Sequence, residues 1–288
     1  MSTTTHEMPA NGLTFVVDEA GEGDAVALLL HGFPESRYSW RDQLPLLAGL
    51  GWRAIAPDQR GYGHSSRPPK VSDYLIDKLI DDVAGLFEAA GAKKRLLIGH
   101  DWGGAIAWAF AVSNRLPLDG LIVMNCPHPS VFARMLNATW AQKLKSWYMA
   151  FFQIPWLPEA LMTAGHARAI GQAFTGFPDA VRDVYRDNAA IPGAMTAMVN
   201  YYRANVASMT AAFNGEVPPI ETPTLLIWGE ADAYLGLEGT VGYGPLVRDF
   251  TLKRLPGVSH WVQQEAAEAV NGIVAGWLAE KGIRPARR

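Results

Sequence analysis

Three side chains stand where chemistry would need them. Asp101 lies in GHDWGG (99–104), between the apolar run RLLI and the small-residue stretch AIAWAFAV. Asp232 lies in WGEADAY (228–234), and His260 in LPGVSHW (255–261). Each has an ordinary reading when taken alone. An aspartate opening a helix is commonly an N-cap, a loop aspartate forms turns, and a lone histidine usually packs or faces solvent. Yet all three fall at or just past the end of a β-rich apolar run. A helix amino terminus favours an anion at Asp101 and keeps its carboxylate ionised near neutral pH. Gly99, Gly103 and Gly104 permit a tight turn and close strand–helix packing. A carboxylate, a histidine and a second carboxylate are the parts of a nucleophile, a base and its orienter.

The elements that must hold these residues are short apolar runs alternating with amphipathic segments. The runs are VALLLHG (26–32), RAIAPD (53–58), RLLIGHD (95–101), GLIVMNC (120–126), TLLIWGE (224–230) and FTLKRLPG (250–257). Near-continuous apolar strands point to a mostly parallel sheet covered on both faces. The covering helices are expected over Ser39–Leu50, Tyr74–Ala90, Trp102–Asn114 and Gln263–Glu280, with LTFVVDEAG as an antiparallel edge strand. From about Pro129 to Val217 the pattern turns helical and dense in Trp, Tyr, Phe and Met. A helical insertion between two strands sits over their carboxyl ends, where open α/β sheets bind ligands. It reads as a lid. The fold class is α/β, with helices on both faces of the sheet and this lid between two strands.

The totals exclude several classes of function. A chain of 288 residues, 49% hydrophobic and 18% charged, is globular and not disordered. A net charge of −3, with no run of like charges, argues against nucleic acid or an anionic membrane as partner. Cys126 stands alone, so no intramolecular disulfide forms, which fits a reducing compartment. The start MSTTTHEMPANG has neither a basic stretch nor an apolar core, and no run approaches the ~20 residues of a membrane span. A cytoplasmic protein is expected. His64, His128 and His166 lack metal-ligand spacing, and the glycines of RGYGHS do not open a helix, so neither a metal nor a nucleotide cofactor is implied.

The chain order, nucleophile then acid then histidine, is that of the α/β-hydrolase triad with Asp in place of Ser. Over nearly its whole length the chain resembles an α/β-hydrolase of the epoxide hydrolase family. The motifs that carry the resemblance are HGFP (31–34), DQRGYGHSSRP (58–68), GHDWGG (99–104), WGEAD (228–232) and GVSHW (257–261). In the lid, SWYMAFFQIPWLPE (146–159) and NYYRAN (200–205) match the family's two tyrosine-bearing segments. The implied division is a core of residues 1–128 and 218–288 with a helical cap, 129–217.

What the resemblance implies is consistent with the chemistry of a carboxylate. Asp101 would displace a leaving group at a saturated carbon and form an alkyl ester on the enzyme. Water activated by His260 would hydrolyse that ester, with Asp232 orienting the imidazole. Backbone N–H groups of Phe33 and Trp102 would form the oxyanion hole. The substrate is then an epoxide or an alkyl halide. Tyr148 and Tyr202 match the family's ring-opening pair, which favours an epoxide, and adjacent Tyr201 faces about 100° away on a helix. A dehalogenase using the same triad is the alternative; it would use the Trp102 indole, but Phe33 stands where Asn is frequent. A noncatalytic binding protein on this scaffold is a third reading, disfavoured by the intact triad.

Phe33, Trp102, Trp147, Phe151, Phe152 and Trp261 are the pocket candidates, and Trp140, Met149 and Trp156 add to an apolar lid that would suit a homodimer. His31 and His100 are expected to be structural. Asp58 and Arg60 are expected to pair across their loop. His260 is expected to be neutral, and both tyrosines protonated, across a broad neutral window of activity.

Overall fold

The computed structural model describes residues 2–138, 140–210 and 218–285. Its eight strands form one sheet: β1 (Thr4–Ala10), β2 (Leu13–Ala20), β3 (Ala25–Leu30), β4 (Arg53–Pro57), β5 (Lys94–His100), β6 (Gly120–Met124), β7 (Thr224–Gly229) and β8 (Phe250–Leu255). The spatial order is β1-β2-β4-β3-β5-β6-β7-β8. The strands from β3 onward are parallel, and β2 is antiparallel to both of its neighbours. The expected edge strand is therefore not the edge. β1 covers it, joined by Asn11 and Gly12, both at positive φ, in the two-residue turn that Asn-Gly favours.

Alternate residues of the central strands face opposite ways. Leu28, Leu30, Leu97 and Val123 meet α2 (Ile76–Ala89) and α3 (Trp102–Ser113), which follow α1 (Gln43–Gly49) in the chain. Ala27, Leu29, Ile98 and Ile122 pack on the other side. There they meet α1 and the last helical stretch. Burial on both faces explains why these strands carry almost no polar residue, each large side chain contributing about 1.5–3 kcal/mol. Between β6 and β7 the chain forms α4 (Pro129–Ala138), α5 (Trp140–Lys145), α6 (Trp147–Phe151), α7 (Leu157–Ala173), α8 (Asp179–Ala190) and α9 (Ala194–Thr210). The expected end of this insertion, at 217, lies outside the described residues. Two expected helices are divided. Arg37–Trp40 forms a separate 3₁₀ turn ahead of α1, and the final stretch breaks at Ala266 into α10 (Val262–Glu265) and α11 (Ala267–Glu280).

β5 ends at His100 and α3 begins at Trp102, so Asp101 is the whole connection. Its backbone is at φ 49°, ψ −118°, a conformation that L side chains adopt only under strain. The turn closes because two glycines let main chains touch. A Cβ on Gly103 would lie 2.0 Å from the Leu30 carbonyl oxygen, and one on Gly99 2.2 Å from that of Gly103.

Gly103→Ala is therefore expected to cost about 3 kcal/mol or more, since the obstructing atom is backbone and cannot swing aside. Gly272→Ala in α11 meets nothing within 4 Å and is expected to stabilise by about 0.5–1 kcal/mol. Urea unfolding of both variants, with midpoints moving in opposite directions, checks the pair.

Candidate active site

The elbow thrusts the Asp101 side chain over the carboxyl ends of the strands. Its Oδ1 accepts the Phe33 N–H at 2.8 Å, and its Oδ2 lies 3.6 Å from His260 Nε2. His260 donates from Nδ1 to Asp232 Oδ2 at 2.7 Å. Asp232 follows β7 and is held from all sides: Oδ1 accepts the N–H groups of Tyr234 and Leu235, and Oδ2 also accepts Asn125 Nδ2. Asn125 in turn accepts the Gly229 N–H on its Oδ1, which ties the end of β6 to the end of β7. The three residues named from the sequence thus form one connected triad. Asn125 is a fourth part that the sequence reading lacks.

A second buried layer supports the first. The Glu35 carboxylate, fully buried, accepts the Gly32 N–H, His100 Nδ1, and the side-chain amides of Gln263 and Gln264. His100 donates from Nε2 to the His260 carbonyl at 2.9 Å. This arrangement clamps the Gly32–Phe33 loop, the end of β5 and the His260 loop together. His31, also buried, accepts the Gln59 N–H on Nε2, so both histidines are structural as expected. Asp58 and Arg60, expected as a pair, are not one. Asp58 pairs with Arg37, and Arg60 with Asp82 at 2.6 Å, because partners from distant elements reach them first.

Electrostatics corrects the expected charge of His260. Burial alone would oppose charging the ring, but Asp232 and Asp101 outweigh it and push the imidazole up to about 10. Burial likewise pushes both carboxyls up, and the adjacent His260 more than offsets this, holding each below the usual carboxylate range. The resting site is one imidazolium between two carboxylates.

Helices α4–α9 lie over this site. Tyr148 of α6 and Tyr202 of α9 stand edge to face, with ring centroids 5.9 Å apart. Burial, then the Asp101 charge, pushes both phenols above their ordinary value, so they remain protonated donors. Tyr201 is engaged elsewhere, donating to the Arg60 carbonyl at 2.7 Å. Two cavities of about 360 and 160 Å³ flank the tyrosines, and Asp101, Tyr148 and Tyr202 line both. The larger one also has Phe33, Trp147, Phe151, Phe152, Trp261 and His260 in its wall. Trp102 and Met149 line the smaller one. Trp140 and Trp156 do not reach either; they are 79% and 73% exposed. Trp102 makes no hydrogen bond to the resting carboxylate among the described residues, so Phe33 alone of the expected oxyanion pair engages it. A larger open hollow of about 1710 Å³, near Trp52 and Leu278, contains none of these groups.

Known proteins share this arrangement of chain. A family model described as alpha/beta hydrolase fold matches residues 26–267. Human epoxide hydrolase 4 is 38% identical over 284 residues, covering 94% of this chain and 77% of that protein. The Bacillus subtilis AB hydrolase superfamily protein YfhM is also 38% identical, over 93% of this chain and 95% of its own. The Bacillus megaterium epoxide hydrolase, solved in complex with an inhibitor, superposes with a TM-score of 0.88 at 27% identity, covering 95% of this chain and all of that one. The chain belongs to the epoxide hydrolase family of the α/β-hydrolase fold. Among the described residues of this α/β-hydrolase, no group of three His, Cys, Asp or Glu side chains could hold a metal ion, and no helix is long and apolar enough to cross a membrane.

The His260 ring should titrate near pH 10 in the free enzyme, read by NMR of its ring protons, and markedly lower in Asp101→Asn. A group raised in the folded state stabilises fully below its unfolded value of about 6.5 and loses that contribution as pH rises toward about 10. Urea midpoints should therefore fall across pH 6.5 to 10, and fall less in His260→Gln. A wild-type ring titrating near 6.5 would remove this account of the site.

Proposed function

We propose that this protein hydrolyses apolar epoxides to vicinal diols through a covalent ester on Asp101, with residues 129–217 acting as the cap of a core formed by 1–128 and 218–288. The observation that carries this reading is the pair of protonated phenols, Tyr148 and Tyr202, sharing both cavities with the Asp101 carboxylate. An epoxide oxygen between the phenols has its ring carbon facing an anion. The names of the relatives point to the same chemistry.

In the first step an Asp101 oxygen attacks a ring carbon, the C–O bond breaks, and a phenol supplies the proton that makes the alkoxide a hydroxyl. The ester masks one of the two charges that hold the His260 proton. His260 then yields that proton toward the phenolate and becomes neutral, a base only when a base is required. In the second step His260 takes a proton from water as the oxygen attacks the Asp101 carbonyl. The Phe33 N–H, and Trp102 N–H at the helix start, face the developing oxyanion. Collapse releases the diol with the proton of the new carboxyl group, leaving Asp101 ionised and His260 charged again. The atoms balance as epoxide plus water giving diol. An alkyl halide would need donors to a departing halide instead, and Phe33 supplies none from its side chain.

His260→Gln should accumulate the ester, seen as a mass increase on a peptide containing Asp101; an adduct elsewhere would displace Asp101 as nucleophile. Replacing both phenols, Tyr148→Phe with Tyr202→Phe, should lower epoxide turnover by about 10²–10⁴-fold. A panel of styrene-oxide-type epoxides and haloalkanes, assayed for diol and halide, decides the substrate class. Halide release with no diol would transfer the site to dehalogenation.

A further inference from the structure

Of the eleven large apolar side chains exposed among the described residues, six fall between 140 and 161: Trp140, Leu144, Trp147, Ile154, Trp156 and Leu161. Three of them are indoles, 64–79% exposed. Trp140 and Leu144 stand one turn apart on α5, and the Lys143 ammonium lies 4.9 Å over the Trp140 ring. Trp147 opens α6 and lies 5.9 Å from Phe151, their rings tilted, and both line the larger cavity. Trp147 therefore belongs both to the exposed face and to the wall of that cavity.

Its charge is one-sided. The 39 residues from Gly120 to Pro158 contain no Asp or Glu, although the whole chain has 28. Their charged side chains are Arg134, Lys143 and Lys145; Arg134 donates to the Val241 carbonyl and Lys145 to the Asp232 carbonyl at 2.9 Å, and Lys143 stands exposed on the face. The net charge of −3 that argues against an anionic surface is an average, and this segment departs from it. Exposed tryptophans with an exposed lysine, Lys143, beside them are the composition of a helix lying in a lipid interface, where the indole settles at headgroup depth and the ammonium reaches phosphate.

We propose that the face formed by α5, α6 and the start of α7 docks on lipid surfaces bearing anionic headgroups, so that apolar epoxides enter the larger cavity from the lipid. The entry route rests on the proposed function; the docking does not. A second copy of the chain fits this face less well. The one carboxylate between 140 and 161, Glu159, already pairs with Arg203 at 2.6 Å, so neither copy offers a free carboxylate on this face to the other's Lys143.

Sedimentation with phosphatidylglycerol-containing vesicles at low salt should carry the protein down, and pure phosphatidylcholine vesicles should carry much less. Trp140→Ser with Leu144→Ser should weaken binding by about tenfold or more. Lys143→Glu should weaken it severalfold and flatten its salt dependence. Both variants alter exposed side chains, so thermal unfolding and turnover of a water-soluble epoxide should match the parent. No sedimentation at low salt, or equal binding by the variants, would overturn the proposal. So would a solution dimer that these substitutions dissociate, which would assign the face to a second copy. Docking is read without turnover, so vesicle binding by a chain inert toward epoxides would sink the functional reading and leave the docking standing.

Discussion

The rest of the structure serves one electrostatic arrangement: the His260 imidazolium held between Asp101 and Asp232. Two buried carboxylates at such separation would be costly without a cation, and the cation would be costly without them. Each distance therefore matters. The contact at 2.7 Å on the Asp232 side is a hydrogen bond, while the 3.6 Å gap on the Asp101 side is not. The tighter partner orients the ring. In the proposed mechanism, esterification removes the Asp101 charge and with it part of what holds the His260 proton.

Holding that geometry takes a strained turn and a buried scaffold beneath it. Asp101 sits in a backbone conformation that only close main-chain packing at Gly99 and Gly103 sustains. The Glu35 carboxylate is buried and lines neither cavity, and its hydrogen bonds link the Gly32–Phe33 loop, β5 and α10. Through His100 it also fixes the backbone of His260. A buried acid with every lone pair occupied is rigid, and the rigidity passes to the groups above it. Asn125 does the same for Asp232. The helices above the sheet add the complementary half, phenols that burial keeps protonated.

Much of this was legible in the residues themselves. A parallel sheet buried on both faces demands unbroken apolar strands, so the six runs stood out, and with them the ends where Asp101, Asp232 and His260 lie. The helical stretch after Cys126 and its two tyrosines were readable for a similar reason, since composition changes sharply there. β1 was missed because its residues are polar and exposed, although the Asn11–Gly12 turn was in plain view. Two helices expected as continuous are divided: at Arg41–Asp42, where Pro45 has no N–H to offer the Arg41 carbonyl, and at Ala266, where neither proline nor glycine marks the break.

The sequence by itself determined which residue types exist at the strand ends, and hence two carboxylates and a histidine in the chain order of a hydrolase triad. Local patterning suffices for that, because strand and helix periodicity are encoded in neighbouring residues. Only the tertiary structure decided how those groups are charged and braced. Glu35 meets His100 across 65 positions and Asn125 meets Asp232 across 107. Asp58 and Arg60, close in sequence, each found a different partner, Arg37 and Asp82. Which tryptophans turn inward was likewise set by how each helix rolls against its neighbours. Hydrogen bonds and Coulomb energies depend on distance in space, and no spacing along the chain specifies that distance until the chain has folded.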